Sequence, residues 1–238
     1  MSPQVIYESE DFVVINKPAG MAVHPARQPQ GVTLVDWLLA RYPEMTKVGD
    51  DLRTRPGIVH RLDKDTSGVI LVCRTQEAFA YFKKQFQEQR IKKTYLALVH
   101  NFLKSKSGLI NKPLGLKKGT IKRTVHGRGT KMIKEAITRY KVKGLIRANK
   151  SPFSLLEIEP LTGRTHQIRV HLASIGHPVV GDRLYGKGSR KLKISNQEKT
   201  PPRLFLHAES LEFTTPSGQR LKVAADLPAD LGNFLKNK

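Results

Sequence analysis

The chain has 238 residues, and its 42 Lys and Arg against 20 Asp and Glu give a formal net charge of +22. This excess favours a polyanionic partner, with nucleic acid ahead of an anionic membrane surface. No apolar run in the sequence approaches the ~20 residues that cross a bilayer. Cys73, the single cysteine, excludes an intrachain disulfide and a cysteine-based zinc site, and fits a reducing, cytoplasmic compartment.

The first forty residues predict a β-hairpin followed by a short helix. Two β-rich apolar runs, residues 5–7 and 12–16, flank a polar turn, which is the pattern of a hairpin. Thr33 has the character of a helix N-cap, and Asp36, three residues later, completes a capping box. The helix that they begin is expected to end near Arg41.

A polar turn and an apolar run mark the segment that carries the main candidate for a functional carboxylate. Residues 69–73 predict a buried strand, and residues 65–68 a turn before it. If residues 58–63 are extended, Asp63 shares a face with Arg61 and lies where the strand opens into the turn. A carboxylate beside a guanidinium stays ionised at pH 7, which suits a nucleophile or a base. Taken alone, these residues favour a simpler interpretation, in which Asp63 caps the turn and pairs with Arg61.

The next elements are predicted as a helix and a strand. Thr75 is a candidate N-cap, and three phenylalanines at helical spacing indicate a core-facing stripe: Phe79, Phe82 and Phe86. Residues 92–99 then predict a strand in which Tyr95 lies on one face and Leu96 on the other.

A long basic window follows, from residue 104 to residue 150. It holds fifteen Lys or Arg and one acid, Glu135, so it supplies 15 − 1 = +14 of the net charge. A charge run is usually a solvated face, but this one is long and one-sided and therefore favours contact with phosphates, without readout of sequence. Only residues 135–142 show weak strand patterning.

The C-terminal part predicts a strand over residues 153–158 and then a helix. Ile168 and Leu172 have helical spacing, Thr165 is the candidate N-cap, and Gly176 ends the helix. Arg164 is placed at the strand-to-helix junction, near a helix N-terminus that favours anions. A second basic loop over residues 187–203, a closing pair of strands over 204–207 and 211–214, and a short C-terminal helix complete the prediction.

Several familiar motifs are nearly present and fail on one residue. Residues 181–188 approach a phosphate-binding loop, but Gly188 replaces the Ser or Thr that holds magnesium. Ser67 lacks the nucleophile-elbow pattern because Asp65 stands where glycine is needed. The histidines have no ligand spacing among themselves, which speaks against zinc. The chain has no third acid beside Asp63 and Asp65, which a metal-dependent nuclease would need to hold its metal ions.

Several blocks, taken in order and spacing over residues 5–214, resemble the RluA family of RNA pseudouridine synthases. They are Asn16-Lys17-Pro18-Ala19-Gly20 with His24-Pro25, His60-Arg61-Leu62-Asp63-Lys64-Asp65-Thr66-Ser67-Gly68, Lys93-Thr94-Tyr95, Thr162-Gly163-Arg164-Thr165-His166-Gln167-Ile168-Arg169, Gly176-His177-Pro178 and Gly181-Asp182. The second and fourth blocks are long and unusual, so chance co-occurrence is a poor explanation.

The resemblance implies that a uridine within RNA is cut at its N-glycosidic bond, turned and rejoined through carbon, with no cofactor and no metal. Asp63 matches the catalytic aspartate, Tyr95 the tyrosine that stacks on the target uracil, and Arg164 the arginine that pairs with the carboxylate. Arg61 matches the residue that fills the space of the everted base, and Leu206 is the candidate for an apolar floor. His60 and Thr66 are added as substrate-binding candidates on the Asp63 motif.

The implied fold is α+β, a pseudouridine synthase fold with a mixed, mostly antiparallel sheet flanked by helices and loops around a central basic cleft. We expect a single catalytic domain over residues 1–238, with its core at about 5–214. The expected partner is ribosomal or transfer RNA, with no membrane, and the expected state is a monomer. The family's optional N-terminal RNA-binding domain is expected to be absent, which leaves target choice to loops such as residues 26–31.

Two alternatives to an isomerase remain. The first is a basic RNA-binding module or assembly factor that has kept the motif without the catalysis. The second is a base-excising glycosidase, which would release free uracil. Product analysis separates all three.

Overall fold

A computed structural model describes residues 2–25, 31–120, 122–125, 130–148, 151–186 and 201–236. The chain divides into two compact units, the first formed by residues 1–93 and 208–226 and the second by residues 94–207 and 227–238. Two predicted loops, residues 26–31 and 187–203, fall mostly outside the described residues.

The secondary structure consists of strands and helices that alternate irregularly. In chain order they are β1 (Gln4–Glu8), β2 (Phe12–Lys17), α1 (Leu34–Arg41), a 3-10 turn (Pro43–Lys47), β3 (Ser67–Cys73), α2 (Gln76–Gln87), β4 (Lys92–His100), β5 (Ser107–Asn111), β6 (Leu114–Lys117), β7 (Arg123–Val125), β8 (Thr130–Lys134), β9 (Ile137–Ala148), β10 (Ser151–Pro160), α3 (Gln167–Ser174), β11 (Leu206–Thr214), β12 (Arg220–Ala224) and α4 (Ala229–Lys236).

In the first unit the strands follow the order β1-β2-β3-β11, and β12 pairs with β11. The β1–β2, β2–β3 and β11–β12 pairs are antiparallel. All seven residues of β3 are buried, and the phenylalanine stripe of α2 packs beside it. Phe82 meets Phe12 and Phe213 edge-on, with ring centroids 5.1 and 5.4 Å away, a favourable geometry for aromatic pairs.

In the second unit the strands follow the order β4-β10-β9-β5, and each neighbouring pair is antiparallel. A separate three-stranded sheet, β7-β6-β8, is formed by the basic window. One apolar cluster combines residues of α3, β4 and β10: Ile168, Leu172, Ala97, Val99, Leu156 and Ile158. A second cluster contains Leu98, Phe153 and Phe205 and receives Leu231 of α4.

The α+β class, the hairpin, the capped helices α1 and α2, and strands β3, β4 and β10 are confirmed. Both bonds of the predicted Thr33–Asp36 capping box are present. Two predictions were wrong. The N-cap of α3 is His166, in the left-handed region at φ 57°, and not Thr165. The closing pair of strands is one strand, β11, whose partner is β12.

Candidate active site

Asp63 lies in a turn that leads directly into buried strand β3. The Thr66 N–H donates to the Asp63 carbonyl at 3.1 Å, which closes the turn. Residues 58–63 form no strand, although Ile58 and Leu62 are buried and Arg61 between them is exposed. The Asp63 carboxylate is partly buried and acts electrostatically on the Arg61 guanidinium. These two charged groups therefore influence each other electrostatically, and whether Asp63 serves as a nucleophile, a base or a turn cap stays a prediction.

A buried lysine stabilises this turn through a hydrogen bond to its backbone. Lys17, the last residue of β2, is 0% exposed, and its Nζ donates to the carbonyls of Pro18, Met21 and Lys64 at 2.8, 2.8 and 3.2 Å. An ammonium has three N–H donors, enough for one bond to each of these carbonyls. The Gly20 N–H also donates to the Lys64 carbonyl, at 2.9 Å. The peptide that follows Asp63 is thus fixed to the end of β2.

The other two candidates on this loop, His60 and Thr66, have different surroundings in the first unit. His60 Nε2 accepts the Leu71 N–H at 2.9 Å, and its ring stacks on Phe86 with 4.4 Å between centroids. Burial, reinforced by the charge of Lys93, lowers the pKa of His60 to about 3, so the ring is neutral at pH 7. Thr66 is 2% exposed, and its Oγ1 has no hydrogen-bond partner among the described residues. A role for either residue in binding substrate stays a prediction.

Tyr95 and Leu206 are brought together in the second unit. Tyr95 lies on β4 opposite Ile158 of β10, and it packs against the apolar cluster that also contains Leu206. Leu206 is 3% exposed, whereas Tyr95 is only partly buried. The cluster includes Ile168 of α3, the helix that follows Arg164. An aromatic ring that packs against an apolar cluster and is only partly buried can stack on a planar base.

Arg164 lies exposed at the β10–α3 junction, as predicted, and the backbone there is held by Gln167. The Gln167 Oε1 accepts the Arg164 N–H at 3.0 Å and the Thr162 hydroxyl at 2.7 Å. Its Nε2 donates to the Ile137 carbonyl at 2.9 Å and to Thr138 Oγ1 at 3.0 Å. The Arg164 Nε donates to the Glu135 carbonyl at 2.9 Å. The oxygen of this buried amide accepts two hydrogen bonds, and its nitrogen donates two. The amide therefore leaves the backbone of the junction little conformational freedom.

A buried ion pair stabilises α3 through Arg169. Arg169 binds Asp182 through two hydrogen bonds of 2.7 and 2.9 Å, and its guanidinium lies 5.1 Å from the centre of the Tyr185 ring. Burial raises the pKa of the Asp182 carboxyl, but the hydrogen bond and charge of Arg169 outweigh it and hold that pKa below its ordinary value. Tyr185 Oη in turn contacts His166 Nδ1 at 2.8 Å and accepts the Arg123 N–H at 3.1 Å.

The structure thus places Asp63, Arg61, His60 and Thr66 on one loop of the first unit, and Tyr95, Leu206 and Arg164 in the second. Sequence reasoning missed the supporting roles of Lys17 and Gln167. Strand parity offered a signal for Lys17, which falls on the same face of β2 as Val13 and Ile15. Within the described ranges, no cluster of three or more His, Cys, Asp or Glu is arranged to hold a metal ion. None of the helices described is long and apolar enough to cross a membrane.

Comparison with known proteins identifies the family of the chain. A family model described as RNA pseudouridylate synthase matches residues 11–174. The chain is 38% identical over 237 residues to ribosomal large subunit pseudouridine synthase D of Nitrosomonas europaea, covering 98% of this chain and 64% of that protein. It is 41% identical over 240 residues to the protein of the same name from Xylella fastidiosa, covering 97% of this chain and 68% of that protein. The chain therefore spans about two thirds of the length of these relatives.

The fold is shared with a solved structure as well. Human RNA pseudouridylate synthase domain containing 1 superposes with a TM-score of 0.76 at 30% identity, covering 95% of this chain and 84% of that one. The family model covers more than half of the chain and includes the blocks that carry Asp63, Tyr95 and Arg164. The resemblance noted in the sequence is thereby confirmed, and the chain belongs to the RNA pseudouridylate synthase family.

Proposed function

We propose that the protein isomerises uridine to pseudouridine within RNA. The observation that carries the proposal is the Asp63 turn, in which a buried lysine fixes the peptide that follows Asp63 and the carboxylate acts on the Arg61 guanidinium, in a chain of this family. The net charge of +22 supports a polyanionic substrate.

Four of the candidate residues act on the base, the sugar or the catalytic carboxylate in the proposed reaction. Asp63 acts as the nucleophile on the ribose or base, or assists glycosidic cleavage, and Arg164 pairs with the Asp63 carboxylate and orients it. Tyr95 stacks on the target uracil, and Leu206 supports it from the apolar cluster. In the proposed complex these residues act together on a single everted nucleotide.

The target base must leave its stack before any residue can reach it. Eversion costs on the order of a few kcal/mol. Insertion of Arg61 into the vacated space and stacking of the uracil on Tyr95 offset this cost. Reaction at the base therefore depends on the position of Arg61 as well as on Asp63.

Ribosomal RNA of the large subunit is the first substrate to test, because relatives that cover most of this chain are named for it. Transfer RNA is the second. The basic window supplies affinity that does not depend on sequence, and the loops supply the choice of uridine.

The test uses unmodified ribosomal and transfer RNA, incubated with the protein and mapped for pseudouridine. The wild type is expected to add pseudouridine at defined positions, Asp63→Asn to add none, and Tyr95→Ala to lose most activity. Asp65→Asn is the matched control, because Asp65 is exposed in the same turn and is expected to retain activity. Binding without product would assign an RNA-binding module, and release of uracil a glycosidase. Full activity of Asp63→Asn would overturn the proposed role of Asp63.

A further inference from the structure

His24 contacts Arg61, the side chain that the proposed function inserts into the RNA. The Arg61 Nη1 lies 2.9 Å from His24 Nε2, and His24 Nδ1 lies 3.0 Å from the carbonyl oxygen of Pro25. The two residues are 37 positions apart in the sequence, so the contact joins two different loops of the first unit.

The partners of His24 decide which of its nitrogens carries hydrogen. A carbonyl oxygen only accepts, so Nδ1 must hold the hydrogen that it donates to Pro25. A guanidinium only donates, so Nε2 must be the bare nitrogen that accepts from Arg61. Both bonds are satisfied only by neutral imidazole in a single tautomer.

The surroundings favour this neutral form. Burial lowers the pKa of His24 below its ordinary value of 6.5, and the charges of Arg61 and Arg55 act in the same direction. The bond to Pro25 and the charge of Asp51 oppose them without reversing the shift. His24 is therefore an acceptor for Arg61 at neutral pH.

The loop that carries His24 is itself fixed. The Leu34 and Val35 N–H groups donate to the carbonyls of Ala22 and Val23 at 2.9 and 3.0 Å, which ties the loop to the start of α1. Its beginning is tied to the Asp63 turn through Lys17 and Gly20, both bonded to the Lys64 carbonyl. The His24–Arg61 bond is thus a third link between the same two loops, and the one that ends on a long, exposed side chain.

We propose that His24 is a positioning residue for Arg61: its Nε2 holds the guanidinium in place in the free enzyme, so that Arg61 is ready to enter the RNA when the target base leaves. This inference rests on the proposed function. An arginine has a long side chain with high rotamer entropy, and fixing it before binding lowers the cost of ordering it in the complex. His24 itself touches no reacting atom.

The position of Arg61 can be tested in the free protein, without any activity. Arginines are labelled with phenylglyoxal, and the modification of each is followed by mass spectrometry. His24→Phe keeps a ring but removes the acceptor, and is expected to raise labelling of Arg61 several-fold. His24→Gln, whose Oε1 can accept the same N–H, is expected to stay near wild type, with Arg53 as the exposed internal standard. Unchanged labelling in His24→Phe overturns the inference.

The catalytic consequence is tested by a double-mutant cycle on kcat/KM under single-turnover conditions. His24→Phe is expected to lower kcat/KM roughly tenfold in the wild-type background, with recovery in His24→Gln. In the Arg61→Met background, the same His24→Phe change is expected to have no further effect. An equal loss in both backgrounds would mean that His24 acts independently of Arg61 and would contradict the proposal. Failure of the wild type to form pseudouridine bears on the proposed function, whereas the labelling result stands without it.

Discussion

Gln167 shows how one buried amide can hold the backbone that presents a functional side chain. Replacing it by Met keeps the length but leaves the Arg164 N–H, the Thr162 hydroxyl and the Ile137 carbonyl without this partner. We expect Gln167→Met to lower the free energy of unfolding by roughly 2–4 kcal/mol, because buried polar groups that lose partners are costly. Urea denaturation measures this, and Gln87→Met, at an exposed position of α2, is the control. Equal stabilities of the two variants would show that the amide bonds contribute little.

His60 gives the stability of the protein a defined dependence on pH. Its pKa is lowered from 6.5 to about 3 by burial and Lys93, so below pH 6.5 the unfolded chain binds a proton that the folded chain rejects. The free energy of unfolding therefore falls as the pH drops from 6.5 towards 3, with His60 contributing about 1.4 kcal/mol per pH unit.

The corresponding variant is His60→Gln, whose side-chain oxygen can still accept the Leu71 N–H but which does not titrate. Urea unfolding at pH 7, 6, 5 and 4 should show the stability difference between wild type and variant shrinking as the pH falls. Parallel pH profiles for the two proteins would exclude His60 as the titrating group.

The position of a residue in the fold was predictable where it follows from the neighbouring sequence, and was not predictable where it depends on distant partners. Asp63 was placed in its turn, and Arg164 at its junction, by the polar and apolar pattern around them. Lys17 is bonded to a carbonyl 47 residues away. Strand parity places it on the face of Val13 and Ile15, but a lysine is so rarely buried that parity alone did not predict it in the interior.

Helices and strands were predicted where burial imposes a recognisable hydrophobic pattern on the sequence, and were missed where it does not. Strand β3 is buried throughout and was found as an apolar run. Strand β8 is exposed along most of its length, so it has no alternation to detect. The start of α3 was misplaced because its N-cap, His166, lies in the left-handed region and makes no side-chain capping bond, so no capping hydroxyl marks it in the sequence. Strand β11 was divided in two because its polar Glu209-Ser210 pair resembles a turn, although Ser210 is buried and pairs with Ala224.

The approach of β3 to β11 makes Gly68 irreplaceable in this fold. Gly68 has φ +114°, and a Cβ there would overlap the Ala208 carbonyl oxygen. We expect Gly68→Ala to cost roughly 3 kcal/mol or more in free energy of unfolding, from backbone strain together with the displaced strand. Thermal denaturation followed by circular dichroism measures it.

A matched glycine in α4 gives the opposite expectation. Gly232 lies inside this helix, and a methyl group added there would meet no atom within 4 Å. Gly232→Ala should therefore stabilise by up to about 1 kcal/mol, the difference in helix propensity. If both substitutions shift the melting temperature in the same direction, the close strand approach does not explain the need for Gly68.

On the scale of the whole molecule, charge is distributed unevenly along the chain. Residues 104–150 carry +14 of the +22, and all of them belong to the second unit. Strand β8 presents Lys131 and Lys134 to solvent, with Met132 and Ile133 also exposed at 68% and 43%. Exposed cations beside exposed apolar groups are suited to an RNA surface, where phosphates and bases alternate.

This distribution predicts how RNA affinity responds to salt. Each cation that neutralises a phosphate of single-stranded RNA contributes about 0.7 to the slope of log K against log salt concentration. The double variant Lys131→Gln/Lys134→Gln should therefore reduce the slope by roughly 1 to 1.5, measured by filter binding of substrate RNA between 50 and 300 mM KCl. The control, Lys84→Gln/Lys236→Gln, removes the same charge from exposed positions outside the window and should leave the slope nearly unchanged. Equal slopes for the two double variants would mean that the overall charge, and not the basic window, binds the RNA.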